Sequence, residues 1–174
     1  MATLTDIDAV YAACQDPDMQ RWTTIPVPYL REHAEDFISR MADPQTWSQL
    51  PYWAITDRPG GPFLGGIDLR PDGAGGAEVG FMVIPSARRL GHGTRALRQV
   101  CRWGFESAGL RVIRWYAGAG NSASRAMAEA VGFRVHSEVL RLGLAQRGQL
   151  QDGWYGDLLP GDLLSGDRIP AVGD

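Results

Sequence analysis

The sequence predicts an α+β (α/β) domain, a mixed and mostly antiparallel sheet with one parallel central pair and helices flanking it. Three observations predict it. Apolar runs over Tyr52–Thr56, Phe63–Leu69 and Ala77–Ile84 are separated by turns rich in Gly, Pro and Asp, which implies an antiparallel meander. Past Pro85, the third run feeds the glycine-punctuated basic turn Arg88-Arg89-Leu90-Gly91-His92-Gly93-Thr94. A helical pattern follows, with Leu97, Val100, Cys101, Gly104 and Ala108 at i, i+3, i+4, i+7 and i+11. Val112–Ala117 then reads as another strand, and two strands joined through a crossover helix form a parallel pair. The 174 residues make a single domain, 1–174, long enough for a real core.

Each element has its own signals. Thr5 to Cys14 reads as a helix: Thr5 caps it, Asp8 completes a capping-box pattern, and Ile7, Val10, Tyr11 and Cys14 share a face. Gln20 to Tyr29, with Pro26 and Pro28 at alternate positions, reads as irregular. A second helix is expected from about Leu30 to Met41, burying Ala34, Phe37, Ile38 and Met41, and ending at Asp43-Pro44. Gly65 and Gly66 suggest a bulge or a close contact in the second strand. Gly109 is placed to cap the central helix. Gly118 to Ser122 opens the next helix, with Ala123, Ala126, Met127 and Ala130 on one face and Gly132 at its end. Phe133 begins a strand that Leu140–Leu144 continues, Arg147-Gly148-Gln149 turns, and Leu150–Leu158 returns. Pro160-Gly161-Asp162 and the tail from about residue 163 read as loop or disorder.

Charge and composition exclude several classes. A net charge of −3 provides no global field to recruit nucleic acid or an anionic membrane. No apolar run approaches the roughly 20 residues of a membrane span, and the acidic start Met1–Asp6 lacks the apolar stretch of a signal peptide, so the chain reads as cytoplasmic. Cys14 and Cys101 occupy apolar helix positions, as buried free thiols do. His33, His92 and His136 have no ligand spacing with one another or with the cysteines, so no metal is expected.

The junction at residues 88–94 is where chemistry concentrates. A strand that ends in a Gly-rich turn opening a helix leaves backbone N–H groups free at the first helical turn, where the helix dipole favours an anion. Gly91 and Gly93 let the main chain approach closely, and Arg88, Arg89 and Arg95 add positive charge. The physical reading is a diphosphate cradle. A nucleotide-binding protein is the weaker reading of that cradle, since no Gly-Lys-Ser/Thr follows the loop.

Arg88-x-x-Gly91-x-Gly93 resembles the acyl-CoA pyrophosphate loop of the GNAT superfamily of N-acetyltransferases. Asn121-Ser122-Ala123-Ser124-Arg125, followed by Ala130-Val131-Gly132-Phe133, resembles that superfamily's second signature, and the two together look most like its RimJ/RimL branch, over roughly Thr5 to Asp162. The resemblance implies a sheet of about six or seven strands with four helices, acetyl-CoA as donor and a primary amine as acceptor. It implies a pantetheine arm along Phe81, Met82, Val83 and Ile84, phosphates at Arg88, Arg89, Gly91, His92, Gly93 and Thr94, and a pantetheine contact from Asn121. Such proteins usually open with an edge strand, for which only Met1 to Leu4 precede the first helix here. A second copy in a homodimer, or sequence upstream, would cover the exposed edge.

Amide formation from a thioester needs a neutral amine, a positioned carbonyl, and stabilisation of the oxyanion and the departing thiolate. Glu78, on the strand upstream of the pantetheine contacts, is either the base that takes the amine proton or an exposed strand glutamate beside a turn. Ser124 is either the proton donor to the thiolate or a first-turn residue bonded to its own backbone, and Tyr116 is the alternative acid. Asn121 also reads as a plain N-cap, and His92 as a loop residue near the cofactor. Trp22 and Tyr29 fall where this family closes the acceptor groove, which suits a small-molecule or peptide amine; helix–sheet packing is their other reading. A non-catalytic acyl-CoA-binding or sensing module would need the Arg88–Thr94 cradle and neither Glu78 nor Ser124.

Overall fold

A computed structural model of the protein describes residues 6–165. Its centre is a seven-stranded sheet in the order β1-β2-β3-β4-β7-β5, with β6 also paired to β7. The strands are β1 (Tyr52–Ile55), β2 (Gly65–Pro71), β3 (Gly76–Val83), β4 (Val112–Gly118), β5 (Arg134–Val135), β6 (Leu140–Gln146) and β7 (Gln149–Leu158). β1, β2 and β3 form the expected antiparallel meander, and β3 with β4 forms the one parallel pair. Because side chains alternate along a strand, Ile67, Leu69, Val79, Ile113 and Trp115 leave one face of the sheet. They pack there with Leu97, Cys101, Ala128 and Val131 of α5 (His92–Glu106) and α6 (Ser122–Val131). On the other face Tyr52 packs with Val10 of α1 (Ile7–Ala13) and with Ala34, Ile38 and Met41 of α3 (Arg31–Ala42). Among the described residues no helix is long and apolar enough to cross a membrane.

The structure corrects several expectations. The first helix runs Ile7–Ala13 with Asp6 at its N-cap and no side-chain cap bond; Thr5 lies outside the described residues. Two short helices add to the expected ones, α2 (Pro17–Trp22), which runs into the stretch that reads as irregular, and α4 (Pro44–Gln49). Each starts at an Asp-Pro pair: Asp16 accepts from the Met19 amide at 2.9 Å and Asp43 from the Thr46 amide at 2.7 Å, with proline at the first helical position. Asp43-Pro44 therefore ends α3 and also begins α4. In α6 the inward residues are Ala128 and Val131, with Met127 partly buried, while Ala123, Ala126 and Ala130 are exposed. The central helix is closed by Ser107, two residues before Gly109. β5 and β6 are separate strands against opposite ends of β7, not one continuous strand. Pro160–Asp162 is a 3-10 turn packed on Gly132, held by Leu164 N donating to Val131 O at 3.0 Å and by Arg98 donating to Leu164 O at 3.1 Å.

Candidate active site

The site begins with a wedge in the sheet. β3 and β4 pair from Gly76↔Val112 to Val79↔Trp115 and no further, although β3 continues to Val83 and β4 to Gly118. Their backbones part beyond that point. The Ile84 amide donates to Leu64 O at 3.0 Å, and by the alternation of an antiparallel pair the amides of Ile84, Met82 and Gly80 turn to β2. The amides of Phe81 and Val83 therefore face the gap, and Met82, expected among the pantetheine contacts, presents its side chain instead. Across the gap, Ala119 N donates to Asp152 O of the β7 side at 3.0 Å, which by the same rule turns the amides of Tyr116 and Gly118 inward.

The turn at the open end of the wedge has the geometry of an anion cradle. The ladder of α5 starts with Arg95 N donating to Gly91 O at 3.0 Å, so the amides of His92, Gly93 and Thr94 precede it, and no side chain caps them. Gly91 has φ +78°, in the left-handed region, and a Cβ there would have no neighbour closer than Arg95 Nη1 at 3.6 Å. At Gly93 space is the constraint: a Cβ would lie 2.7 Å from Met127 Cε and 3.0 Å from Val83 Cγ2. Bare main chain, an unfilled surface above Gly91 and the positive end of a 15-residue helix fit a diphosphate. Arg89 is exposed at φ +63°, and Arg95 donates to His92 Nδ1 at 2.8 Å. Arg88 behaves differently from expectation. Its guanidinium donates to Asp16 Oδ1 at 2.6 Å and to Val83 O at 3.2 Å, and lies 3.7 Å from Asp18 Oδ2.

The wedge opens into a cleft of about 930 Å³. Glu78, Phe81, Met82, Val83, Tyr116, Asn121 and Ser124 line it, with Trp22. Asn121 caps α6, its Oδ1 accepting from Ser124 N at 3.2 Å, which leaves its amide NH₂ free to donate. Ser124 Oγ accepts from the indole N–H of buried Trp115 at 2.9 Å, so its own hydroxyl proton remains to be given. The Trp22 ring lies against main chain: a Cβ on Gly118 or Gly120 would come within 3.2 and 3.6 Å of it. Tyr29 is not at the cleft. It is 5% exposed, packed in the α1–α3 core and bonded to Cys14, and burial pushes its hydroxyl's pKa up.

Asp68 and Arg70, and with them Gln146 and Gln151, are cleft residues that no sequence motif marks. Sheet register sets Asp68 opposite Gly80 and Arg70 opposite Glu78. Arg70 donates to Asp68 Oδ1 at 3.0 Å and to Glu78 Oε1 at 2.8 Å, its guanidinium lying where any side chain at Gly80 would collide. Burial raises the Asp68 pKa, with Arg70 and the Gly80 amide opposing. All three charged groups line the cleft. Only the alternation Gly66, Asp68, Arg70 against Glu78, Gly80, Met82 could have placed them on one face. Gln146 and Gln151, from the β6–β7 hairpin, complete the far wall.

Comparison with known proteins agrees with this geometry. The model of the acetyltransferase (GNAT) domain matches residues 1–134. No curated protein sequence matches. Among solved structures, RimJ of Mycobacterium smegmatis in complex with CoA-disulfide superposes with a TM-score of 0.78 at 21% identity, covering 94% of this chain and 82% of that one. A candidate ribosomal-protein-serine acetyltransferase from Vibrio cholerae gives 0.77 at 17% identity, with 91% and 90% covered. Spermidine N-acetyltransferase from Vibrio cholerae, in complex with CoA and spermine, gives 0.74 at 13% identity, with 92% and 93% covered.

Proposed function

Because the chain belongs to the GNAT acetyltransferase family, and is an acetyl-CoA-dependent N-acetyltransferase, we propose that a primary amine attacks the bound thioester directly, the acceptor being a protein N-terminus or a small-molecule amine. One observation carries this reading. Pairing of β3 and β4 stops at Val79↔Trp115, and Glu78 on one strand and Ser124 beyond the other line the cleft that opens there.

Acetyl-CoA supplies an activated acyl thioester. The amides of His92, Gly93 and Thr94 hold its phosphates, with Arg89 and Arg95 alongside. Phe81 and Val83 offer main-chain donors in the gap, for the pantetheine arm and for charge developing on the carbonyl oxygen. An amine reaches the cleft as an ammonium, and Glu78, kept in place by Arg70, takes its proton directly or through water. Ser124 gives its hydroxyl proton to the departing sulfur, with Tyr116 as the alternative donor, and is reprotonated through water by the second proton that the attacking nitrogen sheds as the amide forms. Direct attack is favoured over a covalent acyl-enzyme because no thiol is available. Cys14 and Cys101 are buried outside the cleft, and burial pushes Cys101 up to about 12.

A thiol-release assay with acetyl-CoA and a panel of N-terminal peptides and small amines tests this. All 17 basic residues are arginine, so transfer to the chain's own lysines cannot contribute to the signal. Free thiol with one acceptor class and intersecting initial-velocity lines are expected. Tight CoA binding without thiol release from any amine would overturn the reading, and parallel lines would overturn direct attack.

A further inference from the structure

Arg88 has the sequence position of a phosphate ligand and the contacts of a brace. Its guanidinium spans from Val83 O, at the end of β3, to Asp16, 72 residues away in sequence. The Asp16 oxygen that receives it, Oδ1, also accepts the Met19 amide and so caps α2. The far end of α2 is fastened too. Arg147 Nη1 donates to Gln20 O at 2.6 Å and Gln146 Nε2 to Arg21 O at 2.9 Å, and both side chains also reach Thr23 O. Between these fastenings α2 carries Trp22, whose ring lies on the Gly118–Gly120 main chain just before the Asn121 cap. A six-residue helix has little stability of its own, so its position depends on such ties. Drawing Arg88 onto a phosphate would break a 2.6 Å ion pair and leave Asp16, only 18% exposed, facing a like charge.

We propose that Arg88 is a positioning residue for the acceptor side. By joining the turn before α5 to the N-cap of α2, it holds Trp22 over the cleft and leaves phosphate binding to the α5 amides. The proposal rests on the reading of that turn as the CoA-phosphate site. It also explains why Asp16 sits below the ordinary carboxylate range: partial burial works against ionisation, but the Arg88 and Met19 hydrogen bonds outweigh it.

The test compares Arg88→Met, Arg88→Lys, Asp16→Asn and the Arg88→Met/Asp16→Asn double variant. Asparagine caps a helix about as well as aspartate, so Asp16→Asn removes the charge pair and keeps the cap. Four quantities are measured: calorimetric Kd for CoA, KM for acetyl-CoA, KM for the amine, and hydrogen exchange of the Met19–Trp22 amides. If Arg88 is a brace, each variant raises the amine KM about three- to tenfold and speeds exchange in α2. The double variant is then no worse than the worse single one, and CoA Kd stays within about twofold. A loss of CoA affinity beyond tenfold in Arg88→Met, spared in Arg88→Lys and absent in Asp16→Asn, would make Arg88 a phosphate ligand and overturn the proposal. If wild type binds no CoA, the turn reading fails on its own. The α2 exchange rates still decide the brace, since unchanged rates in all variants would reject it.

Discussion

On the α5–α6 side of the cleft the polypeptide presents mainly backbone, whereas on the α2 and hairpin side it presents side chains. The first side consists of amides at Phe81, Val83, His92, Gly93 and Thr94, and two glycines whose missing Cβ atoms shape it. The second consists of Asp68, Arg70, Glu78, Trp22, Gln146 and Gln151, brought together from β2, β3, α2 and the β6–β7 hairpin. Groups common to every residue suit a donor that never changes, while an acceptor pocket can diverge by exchanging side chains without moving the sheet. The two sides should therefore fail differently: the backbone side when atoms are added, the side-chain side when they are removed or neutralised.

The largest effect is expected at Glu78, where the two sides meet. Glu78→Gln keeps the shape of the side chain and the reach of Arg70 but cannot take a proton. It should lower kcat by about 10²- to 10⁴-fold and flatten the rise of kcat with pH, with CoA affinity unchanged by calorimetry. A rate within twofold of wild type and an unaltered profile would move the base to Asp68 or to water. In Asp68, burial keeps protonation easier than in a free carboxyl, so Asp68→Asn is the matching control.

The same division explains what could be read from the sequence. The donor side was legible because it is local: a β-rich run, Pro85, then Gly91 and Gly93 before an amphipathic helix all fall within Gly76–Glu106, and the structure has them in that order. The acceptor side was not, because it depends on register. Nothing near Arg70 in sequence says that its partner is Glu78, eight residues on across a turn. The resemblance puts Trp22 and Tyr29 alike at the acceptor groove; Trp22 lines the cleft, whereas Tyr29 belongs to the core. The α2 and α4 helices had a readable signal in Asp-Pro, but each is only six residues long and offers no periodicity to confirm it. The α6 face is ambiguous in the sequence because alanines occupy both sides of that helix, so only Met127 and Val131 carry directional information.

Adding a methyl-bearing side chain to the backbone side should be the next largest disturbance. Gly93→Val places its Cβ against Met127 and Val83, and overpacking of this kind costs about 1–3 kcal/mol. Where that strain shifts the α5 amides out of place, CoA affinity should fall by up to about 5- to 150-fold, with the amine KM little changed. Gly91→Val meets no such protein neighbour, but it strains the left-handed φ and puts a side chain over the surface meant for the diphosphate, so Gly91→Asn, which tolerates that φ, should recover stability while CoA binding stays weak. Equal CoA affinity in Gly93→Val and wild type would contradict the packing of α5 on α6 as well as the cradle.

Ser124→Ala sits between these extremes. Loss of the hydroxyl should slow turnover about tenfold, near 1.4 kcal/mol of barrier, without altering either KM. It also leaves the buried Trp115 indole without its acceptor, for which about 1–3 kcal/mol of stability is expected to be lost in a denaturant titration. Full turnover together with that stability loss would leave the serine a structural partner of Trp115, and Tyr116→Phe would then be the variant to slow the reaction.

The smallest kinetic effect is expected where the wedge is closed, at a cluster belonging to neither side. Asp72 accepts the Ala74 and Gly76 amides at 2.8 and 2.9 Å and the Arg114 guanidinium at 2.8 Å, and Arg111 donates to Ala74 O at 2.7 Å. Those amide bonds first, and Arg114 after them, hold the Asp72 carboxyl down to about 2, against about 3.9 in an unfolded chain. A pKa lowered by folding stabilises the native state above the unfolded value and ceases to do so as pH falls through the folded one. Wild type should thus lose part of its stability between about pH 4 and about pH 2, and Asp72→Asn should show a flatter dependence over that window. At neutral pH the variant should keep its kcat, because Gly76↔Val112 to Val79↔Trp115 still pair and fix where the strands part. If Asp72→Asn instead lowered kcat as much as Ser124→Ala does, the closed end would be setting the opening of the cleft, and the division into a backbone side and a side-chain side would need a third member.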